Sequence, residues 1–174
     1  MIQFDWALPK YKPFMIKIIF RLLSLFSTGL IGGAFFYGYL NVVPTFYDVK
    51  PAVHFLFRTA LMKHNSILMP ILNAVAIIFT TLFAFSIKIN EGIARAFAFT
   101  ASILSIITFL TTLFGNVPIN GIIKTWSPDQ PPYSWEIILR KWDFFNTIRT
   151  ATAVGCFICI LLTDFLRWYN SKTN

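Results

Sequence analysis

Long uncharged stretches alternate with short basic or polar segments along the chain, and this alternation predicts four membrane-spanning helices. Three of the stretches are long enough to cross a hydrocarbon core of roughly 30 Å at a rise of about 1.5 Å per residue. The fourth, residues 150–163, is too short, so either Arg149 or Asp164 is expected near the membrane boundary. The predicted spans, within a single domain of residues 1–174, are residues 22–43, 65–87, 96–114 and 148–168.

Turn and cap signals refine these helices. Pro51 suits a first helical turn and predicts a helical extension outside the membrane before the second span. A similar extension is expected to begin near Trp135, before the fourth span, with Glu136 in its first turn. Gly115 and Pro118 are expected to stop the third helix. The predicted fold is therefore all-α, an integral membrane four-helix bundle with two extramembrane extensions.

Composition supports a membrane location and narrows the partners. The chain is 56% hydrophobic and only 13% charged, whereas soluble domains are usually about a quarter charged, so a soluble globular enzyme is excluded. The net charge of +8 is explained by basic residues that flank the spans, without a nucleic-acid partner. Four spans place both termini on one side, and the strongly basic start of the first span favours the cytoplasm. Membrane lipid is the expected surroundings.

Polar residues gather at the end of the bundle away from the termini. One face of the last helix carries Trp135, Leu139, Trp142, Asn146 and Arg149 at spacings of three and four, and this face is expected to point inward because an arginine in lipid is costly. The extension before span two carries a second polar row, in which His54, Arg58, Leu61 and Asn65 follow spacings of three and four, and residues 115–120 supply a third group. These converge in a predicted pocket with Arg149 and Asn146 as catalytic candidates. The substrate-binding candidates are Asn65, Asn116, Asn120, Trp126 and Trp142.

Two non-catalytic interpretations remain open at this stage. Arg149 could cap the carbonyl end of the third span, with the tryptophans in an interfacial aromatic belt. The protein could also be an accessory or scaffold subunit that packs, as a homo-oligomer or in a larger complex, through the small residues Gly29 and Gly33. An enzyme is expected to enclose a cavity against Trp142, Asn146 and Arg149, whereas a scaffold is expected to fill that space.

Other chemistry has weak support in the sequence. Cys156 and Cys159 form a C-x-x-C pair, but the chain has only 2 cysteines and so lacks the second pair that thiol relays use. The two thiols are expected to be packing residues. His54 and His64 are not spaced as zinc ligands, and no acidic cluster accompanies them, so no metal site is expected.

The end of the third span and the start of the last helix resemble a known family. The sequence GNVPIN at residues 115–120 is followed by a set of aromatic and polar residues that is similar to the signature of the anthrone-oxygenase-like family of small four-span membrane proteins. Weaker similarity extends over about residues 20–165. The residues that carry the resemblance after 115–120 are Trp126, Trp135, Arg140, Trp142, Asn146 and Arg149.

The resemblance implies a function and a set of roles. Fungal members oxidise anthrones to anthraquinones, apparently without metal or flavin, so a hydrophobic aromatic or polyketide-type substrate, dioxygen and no cofactor are expected. By this resemblance Arg149, Asn146 and Asn120 would stabilise an oxyanion, while Trp142 and Trp126 would stack on the substrate. The chain has Asn146 where the fungal pattern tends to have histidine, so a base is missing from the motif. His54 or His64 could take the place of this base, but a histidine near the membrane surface before a span is more often an interfacial residue.

Overall fold

The computed structural model describes residues 12–128 and 130–173, so both chain ends, for which a cytoplasmic location was predicted, lie outside the described residues. Helices account for almost all of this part, and its only β pairing is an isolated bridge between Ser127 and Gln130. The all-α prediction is confirmed. The α-helices are α1 Lys12–Tyr37, α2 Val43–Tyr47, α3 Pro51–Ser86, α4 Gly92–Thr111, α5 Val117–Ile123 and α6 Trp135–Thr173.

Four helical segments of the described chain are long and apolar enough to cross a membrane. They agree with the predicted spans, and the second span ends at Ser86 rather than at residue 87. At about 1.5 Å per residue, α3 and α6 are roughly 50–60 Å long, well beyond a hydrocarbon core of roughly 30 Å. Both helices begin where the sequence predicted, at Pro51 and Trp135, which confirms the extensions before spans two and four. The four segments are Met15–Tyr47, Pro51–Ser86, Gly92–Ile123 and Trp135–Thr173.

Small residues allow the helices to pack closely. Alanines on α4 lie against the buried Cys156 and Cys159 of α6, and the Cys156 thiol donates to the Ala101 carbonyl at 3.2 Å. Both cysteines are free, in keeping with the packing role expected for them. On α1, a Cβ added at Gly32 would approach the Ala153 carbonyl oxygen to 3.3 Å. Close backbone approach of this kind is typical of helix pairs in membranes.

Hydroxyl groups join the helices in the middle of the bundle. Thr81 on α3 and Ser102 on α4 lie 2.6 Å apart, oxygen to oxygen, and Thr108 on α4 and Thr152 on α6 lie 2.8 Å apart. Other buried hydroxyls bond to a carbonyl one turn earlier in their own helix, as Thr80 does to Ala76 at 2.7 Å. These hydroxyl groups thus have hydrogen-bond partners within the protein, as an apolar surrounding requires.

The prediction that Gly115 and Pro118 stop the third helix is wrong. A five-residue π-helix, Thr112–Asn116, joins α4 to α5, and the helix continues to Ile123. The N–H of Val117 bonds to the carbonyl of Thr112, five residues earlier, and this wider turn absorbs the bond that Pro118 cannot donate. The same device, Gly38–Val42, precedes Pro44 and joins α1 to α2.

The two ends of the bundle differ in their side chains. At the terminal end, where the described parts of α1 and α6 meet the turn between α3 and α4, Arg21 bonds to Asp164 at 2.8 Å and Arg167 bonds to Glu91 at 2.7 Å. At the loop end, the short helices α2 and α5 meet the first turns of α3 and α6. An apolar cluster there includes Phe55, Met62, Ile119, Ile123, Leu139 and Trp142.

Candidate functional site

Trp142 is the centre of the loop end. Its indole Nε1 donates to Oδ1 of Asn120 at 2.7 Å, and its backbone carbonyl accepts from Nδ2 of Asn116 at 3.1 Å. The ring is 8% exposed. Asn116 lies in the π-helix and Asn120 in α5, so the wide turn before Pro118 brings both amides to α6. The two asparagines therefore fix the position and tilt of the indole.

Arg149 is turned inward from α6, as its helical face predicts. Its Nε and Nη2 donate to Oδ1 of Asn146 at 3.0 and 2.8 Å, and Asn146 is buried. The guanidinium carbon lies 4.6 Å from the centroid of the Phe35 ring on α1 and 5.2 Å from that of Trp142. The charge is thus held by an amide and two aromatic faces rather than by a carboxylate.

Arg58 is a second buried cation, which the sequence identified only as a member of a polar row. It is 2% exposed, and its guanidinium carbon lies 4.3 Å from the centroid of Trp142 and 4.9 Å from that of Phe46 on α2. Its Nε donates to Nε2 of His54 at 3.1 Å, so that nitrogen of the imidazole is an acceptor. Two guanidinium groups, from α3 and α6, therefore lie over one indole.

Asp143 is a carboxylate that lies next to Trp142 in the sequence, and it contacts α2 instead of either arginine. The hydroxyl of Tyr47 donates to its Oδ2 at 2.5 Å, while the Asp143 carboxylate acts on Arg58 only at longer range. Tyr47 is 45% exposed, whereas Oδ1 of Asp143 is buried without a hydrogen-bond partner. The pair joins residues 96 positions apart, which no local spacing could indicate.

Four buried side-chain atoms of the described chain lack a hydrogen-bond partner, and all belong to this end of the bundle. They come from residues that contact Trp142 or precede or follow it directly, and they include both donors and acceptors. Buried polar groups are almost always paired, so their concentration at one place makes this end of the bundle the candidate site. The atoms are Nη1 and Nη2 of Arg58, Oδ1 of Asn116 and Oδ1 of Asp143.

Aromatic rings form the outer wall. The Phe55 ring packs edge-on against Trp126 and Trp135, with centroids 5.2 and 5.5 Å apart. Trp126 therefore packs against the apolar cluster that contains Trp142. His54 stacks on Phe46 at 4.9 Å between centroids and is 1% exposed.

Other sequence candidates lie outside the cluster. Asn65 and His64 are exposed on α3, within a stretch, residues 63–68, that is exposed throughout. The face of α3 that carries Arg58 is covered by α2 and α6 near the start of α3. At the level of Asn65 the same face is exposed. Among the described residues, no group of three or more His, Cys, Asp or Glu side chains could hold a metal ion.

A cavity was expected against Trp142, Asn146 and Arg149. Neither of two pockets in the described part of the chain lies there. The first pocket, 450 Å³, opens beside Gly29 and Phe157, and the second, 280 Å³, lies between Arg21 and Arg167. Beside Arg149 the Phe35 and Trp142 rings are packed against the guanidinium.

Comparison with known proteins decides the family. A family model described as "Anthrone oxygenase" matches residues 57–159, more than half of the chain. The chain belongs to the anthrone oxygenase family. The anthrone oxygenase match contains both arginines that lie over Trp142, whereas Phe35, Phe46, Tyr47 and His54 precede it. No curated protein and no solved structure matches the chain.

Proposed function

We propose that this member of the anthrone oxygenase family is a membrane enzyme that oxidises a hydrophobic aromatic substrate of the anthrone or polyketide type with dioxygen, using neither metal nor flavin. Family membership supports the reaction class. The observation that carries the proposal is Arg149, a partly buried cation bonded only to the neutral amide of Asn146. Its charge is available to an anionic oxygen, and arginines at such positions are commonly functional.

The reaction needs no cofactor because the substrate supplies the electrons. A base removes a proton from the ring CH₂, and the negative charge spreads onto the ring carbonyl oxygen as an enolate. The carbanion reduces dioxygen and forms a C–O bond, the peroxide takes up the proton, and loss of water leaves a new C=O. One CH₂ group and one O₂ thus become one C=O and one H₂O.

Arg149 and Asn146 are the proposed catalytic pair. The guanidinium stabilises the enolate oxygen, and Asn146 holds the guanidinium through two bonds to Oδ1. Trp142 provides an aromatic face for the substrate, with Trp126 in the same wall. Asn116 and Asn120 act through Trp142, because both of their hydrogen bonds go to that residue. Asn65 is exposed and receives no role.

Asp143 is the proposed base. His54 is a poor one because its Nε2 already accepts from Arg58, and His64 is exposed. The carboxylate of Asp143 has one oxygen fixed by Tyr47 and the other buried and unpartnered. A positioned acceptor with a free oxygen, one residue from the indole on which the substrate stacks, suits proton removal.

The non-catalytic alternative has less support. Gly29, half of the small-residue pair on which it depended, packs inside this chain, where an added Cβ would lie 3.2 Å from the Phe157 ring. Gly33 meets nothing within 4 Å. One residue with free space is a weak basis for a scaffold surface, whereas a scaffold has no use for unpaired buried arginine nitrogens.

Oxygen uptake tests the proposed function. The purified protein in lipid nanodiscs is given a hydroxyanthrone, and oxygen consumption and anthraquinone formation are followed against the spontaneous oxidation in empty nanodiscs. We expect oxygen and product in equal amounts at a rate well above the spontaneous one. A rate equal to that of empty nanodiscs, from a protein shown to be folded, contradicts the proposal.

A further inference from the structure

The Arg58 guanidinium has one edge occupied and one edge free. Its Nε donates to His54, and its guanidinium carbon lies 4.3 Å from the centroid of Trp142 and 4.9 Å from that of Phe46. The outer edge, Nη1 and Nη2, is buried and has no hydrogen-bond partner. The residue is 2% exposed, so these donors are also shielded from solvent. The two nitrogens without a hydrogen-bond partner are thus the terminal ones of the guanidinium, and two aromatic rings lie within 5 Å of its central carbon.

This arrangement differs from that of a purely structural arginine. Cation–π contacts alone satisfy the faces of the guanidinium but not its edge donors. Burial of a cation with unpaired donors is costly unless an anion or acceptor completes it. Among the described residues no carboxylate lies within ion-pair distance of Arg58, and Asp143 is bonded to Tyr47 instead. The missing partner is therefore a group that the protein itself does not provide.

The shape of the free edge selects the chemistry of that group. Nη1 and Nη2 lie side by side and donate in parallel, a geometry that fits the two oxygens of one carboxylate. The aromatic rings of Trp142 and Phe46 next to the guanidinium favour an aromatic body attached to that carboxylate. A single phenolate oxygen can accept from two guanidinium nitrogens, as Oδ1 of Asn146 does from Arg149, but it does not form the two parallel bonds that a carboxylate forms.

We propose that Arg58 is a binding site for the carboxylate of an aromatic acid, which the free edge of its guanidinium holds through two parallel hydrogen bonds. As a statement about the substrate of the oxygenase, this rests on the proposed function. As a statement about binding, it stands on the Arg58 contacts alone. The ligand's ring lies beside Trp142, so the same molecule can reach Arg149 with its ring oxygen.

Binding of defined probes tests the site. Titration calorimetry in phosphatidylcholine nanodiscs compares 2-naphthoate, its uncharged amide 2-naphthamide, and the fatty acid palmitate. The variants are Arg58→Met, Arg58→Gln and, as a matched control, Arg140→Met. The control removes an exposed arginine of α6 at the same end of the bundle as Arg58. Thermal unfolding of each variant verifies that it is folded, and the glutamine variant keeps a polar group if methionine disturbs the packing.

We expect wild type and Arg140→Met to bind 2-naphthoate equally. Both Arg58 variants should bind it at least about tenfold more weakly, as expected for a lost charge-assisted bidentate contact, and 2-naphthamide should bind weakly and equally to all. Equal naphthoate binding by wild type and the Arg58 variants overturns the inference. Palmitate binding that is as tight and as dependent on Arg58 as naphthoate overturns the aromatic part.

The oxygen-uptake measurement separates this inference from the proposed function. If naphthoate binding depends on Arg58 but the protein does not oxidise anthrones, the carboxylate site is supported and the oxygenase function is contradicted. If oxygen uptake is catalysed but naphthoate binding does not depend on Arg58, the oxygenase function is supported and the carboxylate site is contradicted.

Discussion

The arginines at the two ends of the bundle have different hydrogen-bond partners and different burial. At the terminal end, Arg21 and Arg167 each bond to a carboxylate, and the arginine side chains are 48% and 32% exposed. At the loop end, Arg58 and Arg149 are bonded to an imidazole and an amide and are packed against rings. The difference supports our proposal that the first pair links the helices, whereas the second pair retains its charge for a ligand.

The energetics of the two ends support this division. Exposed ion pairs contribute about 0–1 kcal/mol each, so the terminal pairs are modest structural links. A buried guanidinium without a carboxylate lowers stability, and such a cost is usually retained where function needs it. The loop end also has the π-helices, which direct the short helices α2 and α5, and thereby Phe46 and Asn120, toward Trp142.

The largest expected difference between the two ends is in the rate of catalysis when the proposed base, Asp143 at the loop end, is replaced. Asp143→Asn keeps the size of the side chain and an acceptor for Tyr47, but the amide cannot remove a proton. Loss of a general base is worth about 10²–10⁴-fold in rate, so catalysed anthrone oxidation should fall by at least a hundredfold. Single-turnover product formation measures it. Asp164→Asn, at the terminal end, is the control and should keep the wild-type rate, and a fully active Asp143→Asn excludes this base.

A smaller effect is expected on stability from the π-helix of the loop end. A Cβ at Gly115 would overlap the Phe145 ring, whereas one at Gly33 would meet nothing within 4 Å. Gly115→Ala should therefore lower the free energy of unfolding by about 1–3 kcal/mol, as overpacking does. Gly33→Ala should be neutral or slightly stabilising, because alanine favours a helix. Chemical unfolding in detergent compares them, and equal stabilities would show that the close approach at Gly115 is not needed.

The smallest effect is expected from the terminal ion pairs. Arg167→Gln removes the bond to Glu91 and should change the free energy of unfolding by less than about 1 kcal/mol, with less effect at high salt. Unfolding at low and high salt measures this. A loss of several kcal/mol would mean that the terminal end is more than a pair of surface links.

The fold was predictable because its signals are local. Uncharged length defined the spans, Pro51 and Trp135 marked helix starts, and the three-residue spacing of Asn146 and Arg149 brought them together on one helix. The π-helices were missed because glycine and proline usually end a helix, and only the packing of α5 against α6 reveals that this one continues.

The site was only partly predictable because half of it depends on contacts between distant segments. Arg58 gains its environment from Phe46 and Trp142, and Asp143 gains its partner from Tyr47, which lies on another helix. Asn65 shows the reverse error: it shares a helical face with Arg58, but no helix covers that face at its level. Periodicity identifies a face and not what packs against it.

One measurement tests the central claim most directly, which is that the Arg149 charge serves chemistry and not the fold. Catalysed oxygen uptake with a hydroxyanthrone is compared for Arg149→Met and Arg167→Met in nanodiscs, with melting temperatures recorded for both. Loss of an oxyanion-stabilising group typically costs about 10²–10³-fold, so Arg149→Met should remain folded and lose at least a hundredfold in rate, while Arg167→Met keeps the wild-type rate. Equal activity of the two variants, or an Arg149→Met protein that does not fold, contradicts the account.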